Sequence, residues 1–362
     1  MIRALKHYPD DPEEAQRPKA LRADLRVQFV TPRTPVTLPD PLPGDCLESA
    51  PDYTADPLAL AEIRNGAVLR DGSFVFTERN ELLRESVDRL SFADKLFSSH
   101  QELEQNLDAT PTEPSPDTVT VIGSQRANNY FHWWIDVLAK CWLIQSSPYR
   151  TCHLITPPLT QSFQRESLDL LGLRTTPMTR PIHRFRRTLA IRGLTHGSSQ
   201  AIVPQVAEFA RWCRAKLTLP LSPRSRKLFL SRRRARNRRL VNEEEVLALL
   251  GADFELIEPE TMSVQEQALL FSQAEMIVAP HGASLTNLLL CTQPTPVLEL
   301  VNDQEPPHTY RRLAALLGHP YIAVGCKSGP TARPLKKRDI KARPSAVRNA
   351  AARLHRSSIA AQ

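Results

Sequence analysis

Glycine is scarce in this chain, with 12 in 362 residues, and several familiar signatures are missing outright. There is no G-x-G-x-x-G and no G-x-x-x-x-G-K-[ST], which removes the common dinucleotide and P-loop phosphate sites. No G-x-S-x-G occurs, which argues against an α/β-hydrolase. No D-x-D occurs, so a carboxylate pair chelating a metal–nucleotide is not indicated and no metal is expected. The six cysteines (Cys46, Cys141, Cys152, Cys213, Cys291 and Cys326) contain no C-x-x-C spacing, which excludes a zinc knuckle and a dithiol redox centre. Most lie in apolar segments, where a reduced thiol acts as a small hydrophobe. There is no N-x-S/T sequon. The longest run free of Asp, Glu, Lys and Arg is Met276 to Leu298, and its three prolines, His281 and Asn287 rule out a spanning helix. The first twenty residues have no apolar core, so no signal peptide is expected. The resulting expectation is a soluble cytoplasmic protein with reduced thiols, held at the inner face of a membrane if at one at all.

The chain does carry 41 % hydrophobic and 24 % charged residues, the composition of a globular protein. Proline is abundant (31), and ten of these residues fall in 1–60. The net charge of +8 is local. Residues 327–362 hold ten Lys/Arg against the single Asp339, which leaves 1–326 close to neutral. Basicity therefore describes the tail rather than the body.

Residues 1–60 read as an extended Pro-rich arm that wraps the body or stays mobile. Short apolar runs (AVLRDGSFVF) and a charged helical stretch (ERNELLRESVDRL) follow. Beyond the break TPTEPSPD (110–117), strand-then-helix units repeat: TVTVIG and 127–145, CHLITPP and 161–172, RTLAIRG and 204–217. After a second break (219–224) come KLFLS, FELIE, MIVAP, PVLELV and YIAV as strands. The helices between them include one opened by Asn242 with Glu245 and closed by Gly251, one opened by Ser263 with Glu266, and 283–291. This alternation predicts an α/β fold with two doubly wound, Rossmann-like parallel sheets. The expected domains are 61–220 and 221–326, followed by a mobile basic tail, 327–362.

Four constellations could carry chemistry. His132 and Asp136 share a helix face at i,i+4, as a general base pair or as a structural pair inside an aromatic core helix. Six arginines lie between Arg232 and Arg239, just past the KLFLS strand. They suit bidentate grip on a phosphate, a solvated loop or a nucleic-acid patch. His281-Gly282-Ala283-Ser284, with Asn287 beyond, follows a buried strand and opens a helix. It is an anion-binding turn or simply a tight turn. Glu260 and Glu299, near strand ends, are candidates for ribose hydroxyls.

The blocks YFHWWIDVLAK, LFLSRRRARNRRLVNEEEV, FELIEPETMSVQEQALLFSQAEMIVAPHGASLTNLLLC and PVLELV, in that order over about 118–326, resemble glycosyltransferase family 61. The resemblance implies a GT-B architecture, two Rossmann-like domains facing across a cleft. It implies inverting, metal-independent transfer of a hexose or pentose from a nucleotide sugar, expected to be UDP-linked, with no further cofactor. The acceptor would be a hydroxyl of a glycan or lipid-linked glycan, in capsular or other surface polysaccharide biosynthesis. The family pattern assigns Asp136 as the base, with His132 orienting it or the donor. It places Arg232, Arg233, His281, Gly282, Ala283 and Ser284 at the phosphates, Asn287 behind the turn, and Glu260 and Ser263 in the E-x-x-S block near base or ribose. Ser284 stands where the family usually has glycine, which removes freedom for positive φ. The basic tail would hold the enzyme at an anionic membrane face. The rival readings are a nucleic-acid binder using Arg232–Arg239 and the tail, although no specific nucleic acid is expected, and a non-catalytic scaffold.

Overall fold

The computed structural model describes residues 4–5, 19–22, 25–31, 34–47, 52–70, 73–83, 86, 100–114, 118–195, 201–219, 224–329 and 333–360. Within the expected helical stretch 78–90, Leu82–Leu83 is instead a strand paired with Phe74–Phe76, while most of the stretch beyond it and part of each expected linker lie outside the described residues. The chain divides into two compact units, Met1–Val36 with Tyr53–Gln205, and Thr37–Asp52 with Val206–Gln362.

The second unit holds a five-stranded sheet that is parallel throughout. Its order is Phe254–Ile257, Arg226–Leu230, Ala274–Pro280, Val297–Asn302, Tyr321–Cys326. Strands buried on both faces read as continuous apolar runs, which is why MIVAP and PVLELV were legible. Ser263 caps the helix Val264–Ser272 as predicted: its hydroxyl accepts the Glu266 N–H while the Glu266 carboxylate accepts the Ser263 N–H. The predicted Asn242–Glu245 box is not a backbone cap. The Asn242 amide instead exchanges two hydrogen bonds with the Ala342 backbone, at 3.0 and 3.1 Å.

That contact corrects the reading of the tail. Residues 344–360 form a helix, Pro344–Ala360, and its Val347, Ala350 and Leu354 join Phe229, Val278 and Leu300 in one core. The charge of this segment concealed an apolar i, i+3, i+7 stripe. Leu354→Ala should cost about 2–5 kcal/mol. A melting temperature unchanged by that substitution would restore the mobile tail.

Of the two readings of the N-terminal arm, the described residues follow the one in which it wraps the body. Leu25–Phe29 adds to the first unit's sheet beside Ala59–Leu69, and Thr34–Val36 pairs with Tyr53–Ala55. Residues 37–52 belong to the second unit, where the Cys46 N–H donates to Ala323 O (3.0 Å) and the Asp45 carboxylate accepts the Ala323 N–H (3.1 Å) and pairs with Arg311. The segment covers the free edge of the Tyr321–Cys326 strand, an edge that would otherwise invite pairing with another chain.

The boundary expected near 220 lies at Gln205/Val206. The helix Val206–Lys216 goes with the second unit because it packs on Ala283–Leu290, where Arg214 donates to Leu289 O at 2.9 Å. The first unit is also not a purely parallel sheet. Ile182–Ile191, Val119–Val121, His153–Thr156 and Thr176–Pro177 are parallel neighbours, but Ile182–Ile191 also runs antiparallel to Ala59–Leu69. No helix among the described residues is long and apolar enough to cross a membrane.

One buried histidine sets a pH dependence. His319 accepts the Thr295 N–H at Nδ1 and donates from Nε2 to Leu288 O. Burial pushes its pKa from 6.5 down to about 4. Between those values the unfolded chain binds the extra proton, so stability is full above pH 6.5 and falls as the pH drops. The loss should approach about 3 kcal/mol by pH 4. Chemical denaturation from pH 7 to 4 should show this slope, and His319→Gln should flatten it.

Candidate functional site

In the second unit, three of the four constellations meet at the C-terminal ends of neighbouring parallel strands, where ligands bind in open α/β sheets. Arg232 follows Arg226–Leu230, and His281 follows Ala274–Pro280. The Arg232 guanidinium lies directly on Gly282: a Cβ built there would fall 2.0 Å from Nη1. Gly282 is extended (φ −171°), so its missing side chain makes room rather than conformation. Arg232 is steadied by the carbonyls of Asn237 (3.0 Å) and Arg238 (3.3 Å). Its burial, with Arg238 close by, lowers its pKa to about 10. Arg238 sits at φ +59°. A non-glycine residue held in the left-handed region is a strained conformation of the kind that clusters at ligand-binding loops.

His281 Nδ1 lies 2.5 Å from Glu299 Oε1, and the Tyr321 hydroxyl donates to Glu299 Oε2 at 2.5 Å. Glu299 is 0 % exposed with both oxygens engaged, so it orients the imidazole and is closed to a ribose. Burial holds the His281 pKa below the ordinary histidine value, against the opposing pull of Glu299. With Nδ1–H on the carboxylate, the neutral ring keeps Nε2 as its outer atom.

The other expected residues divide. Ala283, Ser284 and Asn287 lie in a 3-10 helix, Ala283–Leu290, in place of the expected α-helix. Ser284 is not at positive φ, so the turn does not need the glycine that it replaces. The buried Asn287 donates to Gln267 (2.7 Å), whose own amide donates to the carbonyls of Pro259 and Met262. Asn287 thereby ties the His281 turn to the Glu260 turn. Glu260 is exposed and close enough to Arg232 to act on it electrostatically. Arg233 does not join the group: its Nε pairs with Glu258 at 2.8 Å and with Glu243 at 3.5 Å. The Ser263 hydroxyl is taken by Glu266 and is a helix cap.

In the first unit, His132 and Asp136 do pair, at 2.8 Å between Nδ1 and Oδ2. The helix that carries them changes winding at this point. Tyr130–His132 is α, Trp133–Leu138 is π, and Ala139–Gln145 is α again, while Asn129 caps the start. π-segments frequently coincide with functional positions. The second Asp136 oxygen accepts from the Thr195 hydroxyl (2.5 Å) and the Thr195 N–H (3.2 Å). Asp136 is 1 % exposed and His132 9 %, so the imidazole is the outer member of the pair. Gly193 leaves room for this packing, since a Cβ there would lie 2.9 Å from Asp136 Cα. Tyr321, Gln267 and Thr195 were missed by sequence reasoning. Each contacts a predicted residue from a distant stretch of chain, and no local spacing signals that.

Residues 130–298 match the glycosyltransferase 61 family model. The chain is similar to an EGF domain-specific O-linked N-acetylglucosamine transferase of Drosophila melanogaster, 31 % identical over 120 residues covering 31 % of this chain and 23 % of that protein. It is also similar to a protein O-linked-mannose beta-1,4-N-acetylglucosaminyltransferase 2 of Canis lupus familiaris, 33 % identical over 124 residues covering 32 % of this chain and 21 % of that one. The matched stretch thus spans less than a quarter of the length of these curated relatives. The family match runs unbroken from the His132–Asp136 pair through Arg232 to the His281 turn, so these three constellations lie within the stretch that is similar to glycosyltransferase family 61.

Proposed function

We propose that this protein moves a sugar from a nucleotide-sugar donor to an acceptor hydroxyl, with inversion and without a metal ion. The observation that carries the reading is the cationic turn of the second unit, where Arg232 lies on Gly282 beside His281 and Glu299. Arg232 and Arg238 supply fixed positive charge for a departing diphosphate, the part a metal ion plays elsewhere. In the first unit, His132 takes the acceptor proton and Asp136 holds the ring in the correct tautomer and stabilises the imidazolium. This reverses the roles the resemblance suggested, because both Asp136 oxygens are engaged. The acceptor oxygen bonds to the anomeric carbon as the bond to the diphosphate breaks. A single displacement inverts that carbon and needs no covalent intermediate.

A GT-B arrangement, cytoplasmic placement and a glycan or lipid-linked acceptor in surface polysaccharide assembly belong to the same proposal. The separate sheets of the two units and six free cysteines support the first two. The names of the two relatives make UDP-N-acetylglucosamine the first donor to try. Thermal melting with uridine diphosphate and UDP-sugars, in EDTA, tests the reading. Ligand at a hundred times its Kd should stabilise by about 2.7 kcal/mol. That stabilisation should vanish in Arg232→Ala. No shift with any nucleotide overturns the proposal.

A further inference from the structure

Beyond the His281 turn, the loop after the Arg226–Leu230 strand meets the tail. Ile340 N–H donates to Arg239 O and Val241 N–H to Ile340 O, both at 2.9 Å. Lys327 and Lys341 exchange backbone hydrogen bonds at 2.8 and 3.1 Å. Arg333 donates to Arg236 O, and Arg239 binds Asp339 through its backbone N–H and guanidinium at 2.7–3.0 Å. These bonds fix the floor of two adjoining open depressions, of about 920 and 570 Å3, which share Arg239 and Arg333. Arg236, Arg239, Arg333, Lys337, Lys327 and Lys341 surround them, and Asp339 is the one acid among the lining residues. Val241, 63 % exposed, lies in the second depression, with Ala235 and Pro334 in the first.

We propose that this groove is a docking surface for an anionic phospholipid bilayer. A cationic rim around a small apolar floor suits a phosphate headgroup with its glycerol and first methylenes. The groove has no aromatic side chain on which a nucleic-acid base could stack, which disfavours a single-stranded polynucleotide. The cations are held on a backbone-bonded platform, so little side-chain order must be imposed on binding. The expectation from sequence spread this attraction over the whole basic tail. The structure concentrates it where the tail crosses the arginine loop, because the tail helix Pro344–Ala360 is committed to the core.

Flotation of the full chain with vesicles tests this, comparing phosphatidylcholine alone with phosphatidylcholine mixed with phosphatidylglycerol. The protein should float only with the anionic vesicles and should be released by salt. Each cation near an anionic surface is worth about fivefold in partitioning, so R236Q/K337Q should lower it roughly 25-fold. R348Q/R356Q removes the same charge from the exposed side of the tail helix and should change it less than about twofold. An unchanged melting temperature identifies each variant as folded. Equal losses in the two pairs would mean diffuse attraction and overturn the groove. So would flotation indifferent to phosphatidylglycerol, or tight binding of RNA or heparin with no binding to vesicles. Flotation requires no sugar transfer, so its failure and the failure of the transfer reaction are separate results.

Discussion

Replacing His132 with alanine should slow transfer by roughly 10²–10⁴ while leaving nucleotide affinity within about twofold. Both oxygens of Asp136 are already engaged. One of its oxygens binds His132 and the other binds Thr195 twice, and the side chain is shut off from solvent. A carboxylate so engaged cannot also meet an acceptor hydroxyl. It can hold Nδ1–H and leave Nε2 as the basic atom, which makes it a positioning residue. Asp136→Asn should then be nearly as damaging as His132→Ala, because an amide can present its N–H to Nδ1 and reverse the tautomer. In the Ser-His-Asp template that change costs about 10⁴ in kcat. The assignment is checked by single-turnover rates on both variants, with donor binding measured separately. If His132→Ala keeps more than a tenth of the rate while Asp136→Asn loses activity, the carboxylate is the base after all.

Gly282→Ala is the second large effect, and it separates function from stability. The added methyl would collide with the Arg232 guanidinium and not with backbone. A flexible tip can move aside, so the melting temperature should shift by no more than a degree or two. The guanidinium then leaves its place beside the His281 turn. A charge-assisted hydrogen bond is worth about 1.5–3 kcal/mol, so affinity for the donor nucleotide should fall about 10- to 100-fold. Arg232→Lys should not restore it, since a point charge cannot reproduce the planar fork. Calorimetric titration of uridine diphosphate against both variants decides the matter. An unchanged Kd in Gly282→Ala would remove Arg232 from the donor site.

What could be read in advance followed the local physics. Three strands of the second unit, Ala274–Pro280, Val297–Asn302 and Tyr321–Cys326, announce themselves because they are buried almost throughout, so their runs are apolar. The His132–Asp136 contact follows from i,i+4 spacing on one helix. The strand Ile182–Ile191 was recovered only in its second half, because its first half (IHRFRR) carries charge that the fold satisfies elsewhere. Arg184, for example, donates to Asn65 O, to Asn80 and to Leu107 O. Glu299 looked like a ribose ligand because burial is invisible in sequence: a carboxylate at 0 % exposure is read the same way as an exposed one. The tail was misjudged because ten cations obscured three apolar residues at helical spacing.

The path of the chain also sets an order of assembly. Thr34–Val36 and Tyr53–Ala55 pair with each other, so the hairpin of the first unit closes the intervening residues 37–52 into a loop. That loop finds its seat only when the Tyr321–Cys326 strand has been made. At ~5–20 residues per second, Cys46 leaves the ribosome some tens of seconds before Ala323 does. Throughout that interval the nascent chain displays a loop with no seat, and afterwards the last strand arrives to find its cover already shaped. Neither unit is a continuous piece of chain, so a fragment beginning at Val206 would expose the strand edge that the loop is built to close.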